Sequence, residues 1–445
     1  MSANERQHVA VIGLGNFGMT VASELARRGC RVLAIDTDPG RARDAQAFVD
    51  TAVVATATDP EELATIGVGR TRAAIVSLGD QAHNSTLATL YLRRLGIPVI
   101  FAKAINEDHA EILAGVGATE VFYPEKEMAV RVAQRVGSNN VLDAFHLASN
   151  LSVIEVAAPT EFVGRSLAEL DLGRRHGIQV LAVKELIPER VVLVPGPATV
   201  LKDSDILLVS GRDAVLRTWG ATGVERKKFV VVGLGGFGRN TVRALHEMGH
   251  DVLALDSDPR AVDAVRPFAS RVEVVDACDR GGLEAAGAAA ADVGVVGLGS
   301  HIDVSLLATM ALKKLGVAPI IAKAVTGDHA VILRQLGATE VIQPEKDVAK
   351  RVAERLMRPG VLEEIPYIEG YAFIETPAPG YLVGKTLAEA ALRRRHHTAV
   401  VAVKRGFGAN EATVPAAGDL MVERGDVLIL LTRHEDLAAL RQGLG

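Results

Sequence analysis

The chain has 445 residues, a formal net charge of −5 and a hydrophobic content of 49% with only 4% aromatic residues. This length exceeds what one hydrophobic core supports, and the aliphatic composition favours buried parallel strands covered by helices, so an α/β protein with two or more domains is expected. The acidic balance and the absence of a block of five or six Lys and Arg argue against nucleic acid as a partner.

The cysteines and the apolar segments indicate further which class of protein this is. Cys30 and Cys278 are too few for a disulfide framework and too widely spaced for a zinc site, which fits a reducing cytoplasm. The chain begins with a polar segment and not with an apolar signal core. Charged residues interrupt every long apolar stretch, so any membrane component is expected to be another chain.

An internal repeat divides the chain into two halves. VIGLGNFG, ending at Gly18, matches VVGLGGFG, ending at Gly238. The same spacing relates LAIDTDP to LALDSDP, AKAINEDHA to AKAVTGDHA, and GATEVFYPEK to GATEVIQPEK. The match continues into the last part of each half, so we expect a covalent pseudo-dimer with a two-fold arrangement of its halves.

In the first half, six short apolar runs alternate with helical patterns and predict a parallel sheet. The runs cover residues 8–12, 31–35, 52–55, 73–77, 98–102 and 119–122. A helix is predicted from about Glu125 to Val136. The pattern then changes to short strands around one helical segment, SLAELDLGRRHG, which predicts a small α+β lobe. The second half repeats this change near Ile365.

A glycine motif lies between the first strand and the first helix of each half. Its glycines are Gly13, Gly15 and Gly18 in the first half and Gly233, Gly235 and Gly238 in the second. Such glycines permit a tight turn, close approach of the backbone to a phosphate, and helix–strand packing. Asp36 and Asp256 end the second strands, where a carboxylate holds both ribose hydroxyls and repels the 2′-phosphate of NADP. This context predicts two Rossmann-like nucleotide sites.

The fold expected is therefore two Rossmann-like parallel-sheet N-lobes, each followed by a small α+β C-lobe, as a tandem repeat. The predicted domains are an N-lobe at residues 1–142, a C-lobe at 143–222, a second N-lobe at 225–362 and a second C-lobe at 363–445.

Polar loops after the later strands are expected to line the same crevice, because ligands bind at the carboxyl ends of parallel strands. These loops contain Thr56 with Ala57, Asp276 with Ala277, the segments SLGD and GLGS, Lys103 and Lys323. His109 and His329 begin the next helices, and Glu125 and Glu345 follow the prolines that begin the helices after those. Each has another interpretation, since a lysine at a strand end is often solvated and the helix dipole alone favours glutamate after proline.

Together, GLGxFG, the acid after the second strand, AKAxxxxH and GATEVxxPEK resemble the potassium-transport regulators of the TrkA and KtrA type, the RCK family. Each half is similar to a complete KtrA-type subunit, and the tandem arrangement is similar to TrkA. The resemblance implies a ring on the cytoplasmic face of an integral-membrane potassium-conducting subunit of the TrkH or KtrB type. It also implies that ATP, ADP or NAD(H) changes the ring shape and hence conduction.

The resemblance further implies ligand contacts at matching positions around the two glycine motifs. In the first half these are Asn16, Phe17, Asp36, Thr37, Asp38, Thr56, Ala57, Leu78, Gly79, Asp80, Lys103, Ala104, Ile105, His109 and Glu125. In the second half they are Gly236, Phe237, Asp256, Ser257, Asp258, Asp276, Ala277, Leu298, Gly299, Ser300, Lys323, Ala324, Val325, His329 and Glu345. In such regulators the acid at the Glu125 position lies near the facing N-lobe and helps hold a cation such as Mg²⁺. That would bring Glu125 towards Glu345.

The chain departs from the KtrA-like pattern at the variable position of GLGxFG. KtrA-like members carry an arginine there that meets the terminal phosphates of ATP, whereas this chain has Asn16 and Gly236. The loss of this charge weakens the case for ATP as the activator and leaves ADP, NAD(H) or another pair of states open. Gly236 permits closer backbone approach than Asn16, which leaves open a different ligand at each site.

The C-lobes resemble the part of the family that in some members binds a cyclic dinucleotide. RRHG from Arg174 and RRRHH from Arg393 offer cations for such a ligand, although a charged helix end in solvent is the simpler interpretation. An NAD-dependent oxidoreductase and a nucleotide sensor of another transporter are the alternative functions. The oxidoreductase needs an acid or base beside the nicotinamide, and the small lobes and the lack of a Tyr-x-x-x-Lys pattern argue against it. We therefore expect a regulator and not an enzyme.

Overall fold

The computed structural model describes residues 6–79, 81–137, 141–148, 151–186, 189–193, 195–219, 226–299, 301–357, 363–368, 370–406 and 412–442. The chain divides into two compact units. One unit, Met1–Val130 with Lys227–Met357, contains the parallel sheets of both halves, and we call it the N-lobe unit. The other, Arg131–Arg226 with Arg358–Gly445, contains the antiparallel sheets, and we call it the C-lobe unit.

The first N-lobe is a six-stranded parallel sheet with helices between its strands. Its strands are β1 (His8–Ile12), β2 (Arg31–Asp36), β3 (Thr51–Val54), β4 (Ala73–Val76), β5 (Val99–Lys103) and β6 (Glu120–Phe122). Its helices are α1 (Asn16–Arg27), α2 (Pro39–Ala45), α3 (Pro60–Ile66), α4 (Ala82–Arg94), α5 (Glu107–Gly115) and α6 (Pro124–Gly137). The strand order is β3-β2-β1-β4-β5-β6. The order reverses between β1 and β4, and a crevice for a ligand forms where the loops of such strands diverge.

The first C-lobe is a five-stranded antiparallel sheet. Its strands are β7 (Val141–Ala148), β8 (Leu151–Ala157), β9 (Gln179–Leu186), β10 (Glu189–Leu193) and β11 (Ile206–Arg212). Its helices are α7 (Leu167–Leu170), α8 (Leu172–His176) and α9 (Asp213–Trp219). The order is β10-β9-β11-β8-β7. The single helix expected here is divided, because Asp171 between α7 and α8 adopts a left-handed conformation with φ +44°.

The second N-lobe repeats the first. Its strands are β12 (Lys228–Val232), β13 (Asp251–Asp256), β14 (Arg271–Val274), β15 (Val293–Val296), β16 (Ile320–Lys323) and β17 (Glu340–Ile342). Its helices are α10 (Gly236–Glu247), α11 (Pro259–Val265), α12 (Arg280–Ala285), α13 (Ile302–Lys314), α14 (Gly327–Leu336) and α15 (Pro344–Met357). The order β14-β13-β12-β15-β16-β17 matches that of the first N-lobe.

The second C-lobe completes the repeat. Its strands are β18 (Glu363–Ile368), β19 (Tyr371–Pro377), β20 (Ala399–Arg405), β21 (Ala412–Pro415) and β22 (Val427–Arg433). Its helices are α16 (Leu387–Ala390), α17 (Leu392–His396) and α18 (His434–Gln442). The order is β18-β19-β22-β20-β21. The tandem arrangement of parallel N-lobes and smaller α+β C-lobes is therefore confirmed.

Within the N-lobe unit, the last helix of the second half packs on the first half. Four buried residues of α15 belong to the same apolar core as β1 and α1. They are Val348, Ala349, Val352 and Ala353. This spacing places them on one face of the helix. The first N-lobe therefore completes its core with a helix that lies more than 200 residues away in sequence.

Within the C-lobe unit, the two antiparallel sheets share one apolar core. Val153 of β8 and Leu208 of β11 belong to the same buried cluster as Phe373 of β19 and Ile429 of β22. The neighbour of Val153, Ile154, belongs to a separate core that includes residues of α7 and α8. This alternation follows from the two-residue period of a strand, and it gives each sheet two buried faces.

Candidate functional site

The turn after β1 has a backbone geometry that requires glycine. Gly13 adopts φ +87°, in the left-handed region, and a Cβ atom there would overlap the carbonyl oxygen of Ser77. A Cβ atom on Gly18 would overlap the carbonyl oxygen of Gly13, so α1 packs directly on the turn. Around Gly15, in contrast, a Cβ atom would meet nothing within 4 Å. The turn therefore leaves the start of α1 open to an approaching anion.

The second half forms the same turn. Gly233 adopts φ +89°, a Cβ atom on Gly238 would overlap the carbonyl oxygen of Gly233, and Gly235 faces open space. The aromatic residues of the two motifs belong to the buried core. Phe17 stacks on Phe122 with ring centroids 4.7 Å apart, and Phe237 is fully buried. Their side chains thus support the turns from beneath and do not line the opening.

Asp36 ties the end of β2 to the glycine turn. Its Oδ2 accepts a hydrogen bond from the Leu14 N–H at 2.6 Å, and its Oδ1 accepts one from the Asp38 N–H at 2.8 Å. The guanidinium of Arg41 lies 3.8 Å from Oδ2. A carboxylate oxygen can accept a second hydrogen bond. The position therefore combines a structural role with the capacity to hold a ribose hydroxyl.

Asp256 makes the equivalent two bonds in the second half. Its Oδ2 accepts from the Leu234 N–H at 2.6 Å and its Oδ1 from the Asp258 N–H at 2.9 Å. The next residues, Thr37 and Ser257, are exposed beside these carboxylates. Both halves thus present an aspartate and an exposed hydroxyl at the carboxyl end of the second strand.

Two of the predicted acids act as helix caps. Asp38 accepts hydrogen bonds from the N–H groups of Gly40 and Arg41 at 2.7 and 3.3 Å, and Asp258 accepts one from Arg260 at 2.9 Å. Such caps satisfy backbone donors at the start of a helix. The local structure thus accounts for both residues, and their contact with a ligand stays a prediction.

The loops after the third strands differ between the halves. Thr56 is exposed, and its N–H donates to Glu62 Oε2 at 3.0 Å. Asp276 is also exposed, and its Oδ1 accepts from the Cys278 N–H at 2.9 Å. Each is followed by a buried alanine, Ala57 or Ala277. The first crevice therefore has a hydroxyl where the second has a carboxylate.

The loops after the fourth strands lie beside the glycine turns. Leu78 and Leu298 are half-buried, and Gly79 is exposed with φ +61°. A Cβ atom on Gly299 would lie 2.9 Å from Nζ of Lys323, so that ammonium group passes close to this loop. Two further predicted residues, Asp80 and Ser300, lie outside the described residues.

The two histidines are buried and bonded at both ring nitrogens. Nδ1 of His109 accepts a long hydrogen bond from the Ile105 N–H at 3.3 Å, and Nε2 lies 3.0 Å from the Ser85 hydroxyl. His329 has the same arrangement with the Val325 N–H and Ser305, at 3.3 and 2.8 Å. Burial lowers the pKa of both imidazoles.

These bonds indicate neutral rings that fix the loop after the fifth strand to the preceding helix. That loop also contains Ala104 and Ala324, which are buried, and Ile105, which is 37% exposed. The histidines are thus explained as supports, and a direct ligand contact through either ring stays a prediction.

The lysines that end the fifth strands each form an ion pair with the opposite half. Nζ of Lys103 bonds to Oε1 of Glu345, and Nζ of Lys323 bonds to Oε1 of Glu125. Both lysines are largely buried and both glutamates are half-buried. Each crevice therefore contains a lysine of its own half and a carboxylate from the other half.

Further ion pairs join the halves of the N-lobe unit. Arg28 of α1 bonds to Glu354 of α15 at 2.6 Å. Arg351 bonds to Glu127, and Arg355 bonds to Glu120. These pairs were not predicted from the sequence. The signal for them was the combination of an apolar stripe with regularly spaced charges on α15, but that pattern does not identify the partner.

Three further expectations concern other ligands and the membrane. Among the described residues, no group of three or more His, Cys, Asp or Glu side chains is arranged to hold a metal ion, and the cation at Glu125 and Glu345 stays a prediction. Arg174 is exposed at the end of α8, the side chain of Arg393 lies outside the described part, and a cyclic dinucleotide there stays a prediction. In the described ranges, none of the helices has the length and apolar character needed to cross a bilayer.

Comparison with known proteins identifies both lobes. The TrkA-N domain model matches residues 9–124 and 229–344, and the TrkA-C domain model matches residues 151–218 and 372–445. Ktr system potassium uptake protein C of Bacillus subtilis (strain 168) is 34% identical over 206 residues, which are 46% of this chain and 92% of that protein. Ktr system potassium uptake protein A of the same organism is 34% identical over 211 residues, 47% of this chain and 94% of that protein.

Solved structures share the complete tandem fold. The crystal structure of the GsuK RCK domain has a TM-score of 0.61 and 21% identity, and the alignment covers 100% of this chain and 96% of that chain. A GsuK channel bound to NAD has the same TM-score and identity, with 100% of this chain and 80% of that chain covered. One half of this chain thus corresponds to a whole Ktr protein, and both halves together correspond to the GsuK RCK domain.

Proposed function

Because the chain belongs to the family of potassium-transport proteins built from TrkA-N and TrkA-C domains, we propose that it is a nucleotide-sensing regulatory subunit that controls a membrane potassium transporter. In this proposal an adenine nucleotide binds at both glycine turns of the N-lobe unit. The bound state changes how the two halves are arranged, and a ring of such chains transmits that change to the membrane subunit.

The observation that carries the proposal is the reciprocal pair of lysine–glutamate contacts. Lys103 pairs with Glu345 and Lys323 pairs with Glu125, so each crevice is lined by both halves of the unit. A ligand that binds beside either lysine interacts with both halves at once. Ligand affinity therefore depends on the arrangement of the halves, and the same coupling lets the ligand change that arrangement.

A coupling of this kind requires only modest free energies. A ligand shifts an equilibrium between two arrangements by the difference in its binding free energy to them, and about 1–3 kcal/mol is typical of allosteric proteins. Partly exposed ion pairs typically contribute about 0.2–1 kcal/mol each. Rearrangement of one lysine–glutamate pair per site therefore supplies part of the coupling, and the contacts of the ligand with both halves supply the rest.

The ligand we propose is an adenine nucleotide without a 2′-phosphate. The open glycine positions and the helix starts suit a diphosphate, and the aspartates Asp36 and Asp256 suit unmodified ribose hydroxyls. NAD and ADP are ligands in GsuK structures. ATP is a weaker candidate, since neither Asn16 nor Gly236 supplies a charge for a terminal phosphate.

Self-association of the chain into a ring is supported by exposed apolar side chains on the helices after β5, β15 and β16. Ile112 of α5 is 50% exposed, Leu307 of α13 is 42% exposed, and Val331 of α14 is 51% exposed. Apolar side chains that cluster on an exposed face are typical of an interface. In the proposal these helices contact neighbouring chains, and the ring rests against a membrane subunit of the TrkH or KtrB type.

Calorimetric titration with ATP, ADP, NAD⁺ and NADH, with and without Mg²⁺, tests the nucleotide sites. The wild-type chain is expected to bind at two sites without converting NADH, and Asp36→Asn and Asp256→Asn are each expected to lose one site. Asp50→Asn is the matched control, because Asp50 also accepts a backbone hydrogen bond, from Val32, but at the opposite end of β2. Hydride transfer would indicate an oxidoreductase, and absence of any nucleotide binding would contradict the proposal.

Potassium uptake by cells that express the chain with its membrane subunit tests the regulatory role. The variant that carries both Asp36→Asn and Asp256→Asn is expected to abolish the response of uptake to nucleotide levels while the protein still assembles. Nucleotide affinities that are the same with and without the membrane subunit would contradict the coupling, and would leave a nucleotide sensor for another transporter as the alternative.

A further inference from the structure

The two nucleotide sites differ at the first residue of the helix that follows each glycine turn. That residue is Asn16 in α1 and Gly236 in α10. A Cβ atom at Gly236 would overlap Oε2 of Glu125 and lie 3.1 Å from its Cδ. The carboxylate of Glu125, which belongs to the first half, therefore lies in the space that a side chain at position 236 would fill.

This carboxylate occupies the most favourable place for an anion in the second site. The start of α10 carries the partial positive charge of a helix N-terminus, which attracts phosphates and carboxylates alike. Oε1 of the same carboxylate bonds to Nζ of Lys323. The helix start and the lysine are the two groups that would attract a phosphate, and both are in contact with Glu125.

We infer, on the basis of the proposed function, that Glu125 is a specificity-determining residue of the second site that takes the place of a ligand phosphate. A phosphate that enters this site must either displace the carboxylate from the helix start and Lys323 or remain close to its negative charge. Both cost free energy, and the cost rises with the charge of the ligand. Glu125 thus selects among adenine nucleotides by their phosphate charge.

The selection favours a dinucleotide of the NAD type over ADP. In a dinucleotide each phosphate of the diphosphate also bears a ribose and carries one negative charge, whereas the terminal phosphate of ADP bears no ribose and, like a phosphate monoester, carries a charge of about −1.5 to −2 at neutral pH. The repulsion from Glu125 is therefore stronger for ADP and stronger again for ATP. The second site is expected to bind NAD⁺ in preference to ADP when no divalent cation is present to bridge the two negative groups.

The first site is expected to discriminate less. Asn16 places a neutral, exposed amide at the position where Gly236 leaves room for Glu125. Glu345 pairs with Lys103 in that site. An asparagine at this position is thus compatible with the fold of the turn. The substitution Gly236→Asn gives the second site the residue that the first site has.

Competition between NAD⁺ and ADP at the second site tests the inference. The titrations are done with EDTA in an Asp36→Asn background, which is expected to leave only the second site. Glu125→Gln is expected to tighten ADP binding about tenfold and NAD⁺ binding about threefold, the range expected for removal of one nearby charge at a half-buried site. Gly236→Asn is expected to shift the ratio in the same direction, because its side chain displaces the carboxylate.

Glu354→Gln is the matched control. It removes one carboxylate from α15, the helix that corresponds to α6 in the repeat, but its partner is Arg28 of α1 and not a crevice lysine. An unchanged NAD⁺ to ADP ratio in Glu354→Gln, with a changed ratio in Glu125→Gln, supports the inference. Equal ratios in Glu125→Gln and in the parent, with both nucleotides still bound, would overturn it and leave the proposed function intact. Failure of the wild-type chain to bind either nucleotide would instead refute the proposed function.

Discussion

The two N-lobes have the same supporting contacts but different residues at the openings of their crevices. The aspartates after the second strands accept the same two backbone hydrogen bonds in both halves. The buried histidines bond to a serine and to a loop N–H in both halves. The residues at the openings differ: Asn16 against Gly236, and Thr56 against Asp276.

This comparison separates two kinds of requirement. A residue that accepts hydrogen bonds from buried backbone groups can rarely be replaced, because its loss leaves those donors without acceptors. A residue that faces the opening can differ between the halves unless it contacts a ligand. The differences at the openings are therefore where the two halves have room to acquire different ligands, while the shared contacts keep both turns in the same shape. The following predictions test that division, beginning with the largest effect.

Gly18→Ala is expected to unfold or strongly destabilise the first N-lobe, by about 3 kcal/mol, because its methyl group would overlap the Gly13 carbonyl oxygen. Gly15→Ala is expected to change the free energy of unfolding by less than about 0.5 kcal/mol, because open space surrounds that position. Gly15→Ala should still weaken nucleotide binding by keeping the phosphate away from the backbone. Urea denaturation and calorimetric titration measure the two effects. Equal destabilisation by both variants would contradict the division between supporting and open positions.

His109→Gln and His329→Gln are expected to destabilise the N-lobe unit to a similar extent, by about 1–2 kcal/mol near pH 7.5, because each loses the same buried hydrogen bonds. Burial lowers the pKa of both histidines from the ordinary value of 6.5. Near and below that pH the two histidines bind fewer protons in the folded chain than in the unfolded chain. The stability that the neutral histidines contribute is therefore fully present above pH 6.5 and is lost as the pH falls.

Urea midpoints at pH 7.5 and 5.5 measure this dependence. Each glutamine variant is expected to have a smaller difference between the two midpoints than the wild type, since one of the groups that resists protonation is absent. A residual difference is expected from His8, whose pKa burial also lowers. A difference that is the same in the wild type and both variants would show that the histidines are not the groups that titrate.

The smallest effect concerns an ion pair that one half has and the other does not. Arg28 and Glu354 join α1 to α15, whereas the repeat has Met248 and Gln134 at the corresponding positions. Arg28→Met with Glu354→Gln therefore gives the α1–α15 contact the residues found at the matching positions of the repeat. A double-mutant cycle on the free energy of unfolding is expected to give a coupling of about 0.5–1 kcal/mol, as for other partly exposed pairs. A coupling above about 2 kcal/mol would contradict this expectation and mean that the Arg28–Glu354 pair stabilises the α1–α15 contact more than a partly exposed pair does.

The sequence was sufficient for the parts of the fold that depend on local pattern. Six apolar runs in the first half predicted the strands of the parallel sheet, and the glycine motif predicted the turn after β1. The repeat then extended both predictions to the second half. Strands β7 and β10 of the first C-lobe were not predicted. In β10 the sequence ERVVL alternates polar and apolar residues only weakly, so it gives little sign of a strand. Such edge strands are defined by the neighbours they pair with, and those pairings are not local.

The partners of the site residues were harder to predict than the residues themselves. Lys103 and Glu345 were both singled out, yet their contact joins positions more than 200 residues apart. The apolar stripe of α15 indicates that one face is buried, but a stripe does not specify which sheet it covers. The glutamates at the starts of α6 and α15 reach the opposite site only because those helices cross between the halves. Helix periodicity alone contains no information of that kind.

The packing of α15 on α1 has a consequence for stoichiometry. Both helices belong to one polypeptide, so their association is intramolecular, at an effective concentration of about millimolar, and dilution does not separate the halves. Every pair of N-lobes then contains one site with Asn16 and one with Gly236 in a fixed one-to-one ratio. A homodimer encoded as a single copy of the half would have two identical sites. Fusion of the halves thus gives every molecule one site of each kind. No sorting of unlike subunits is needed during assembly.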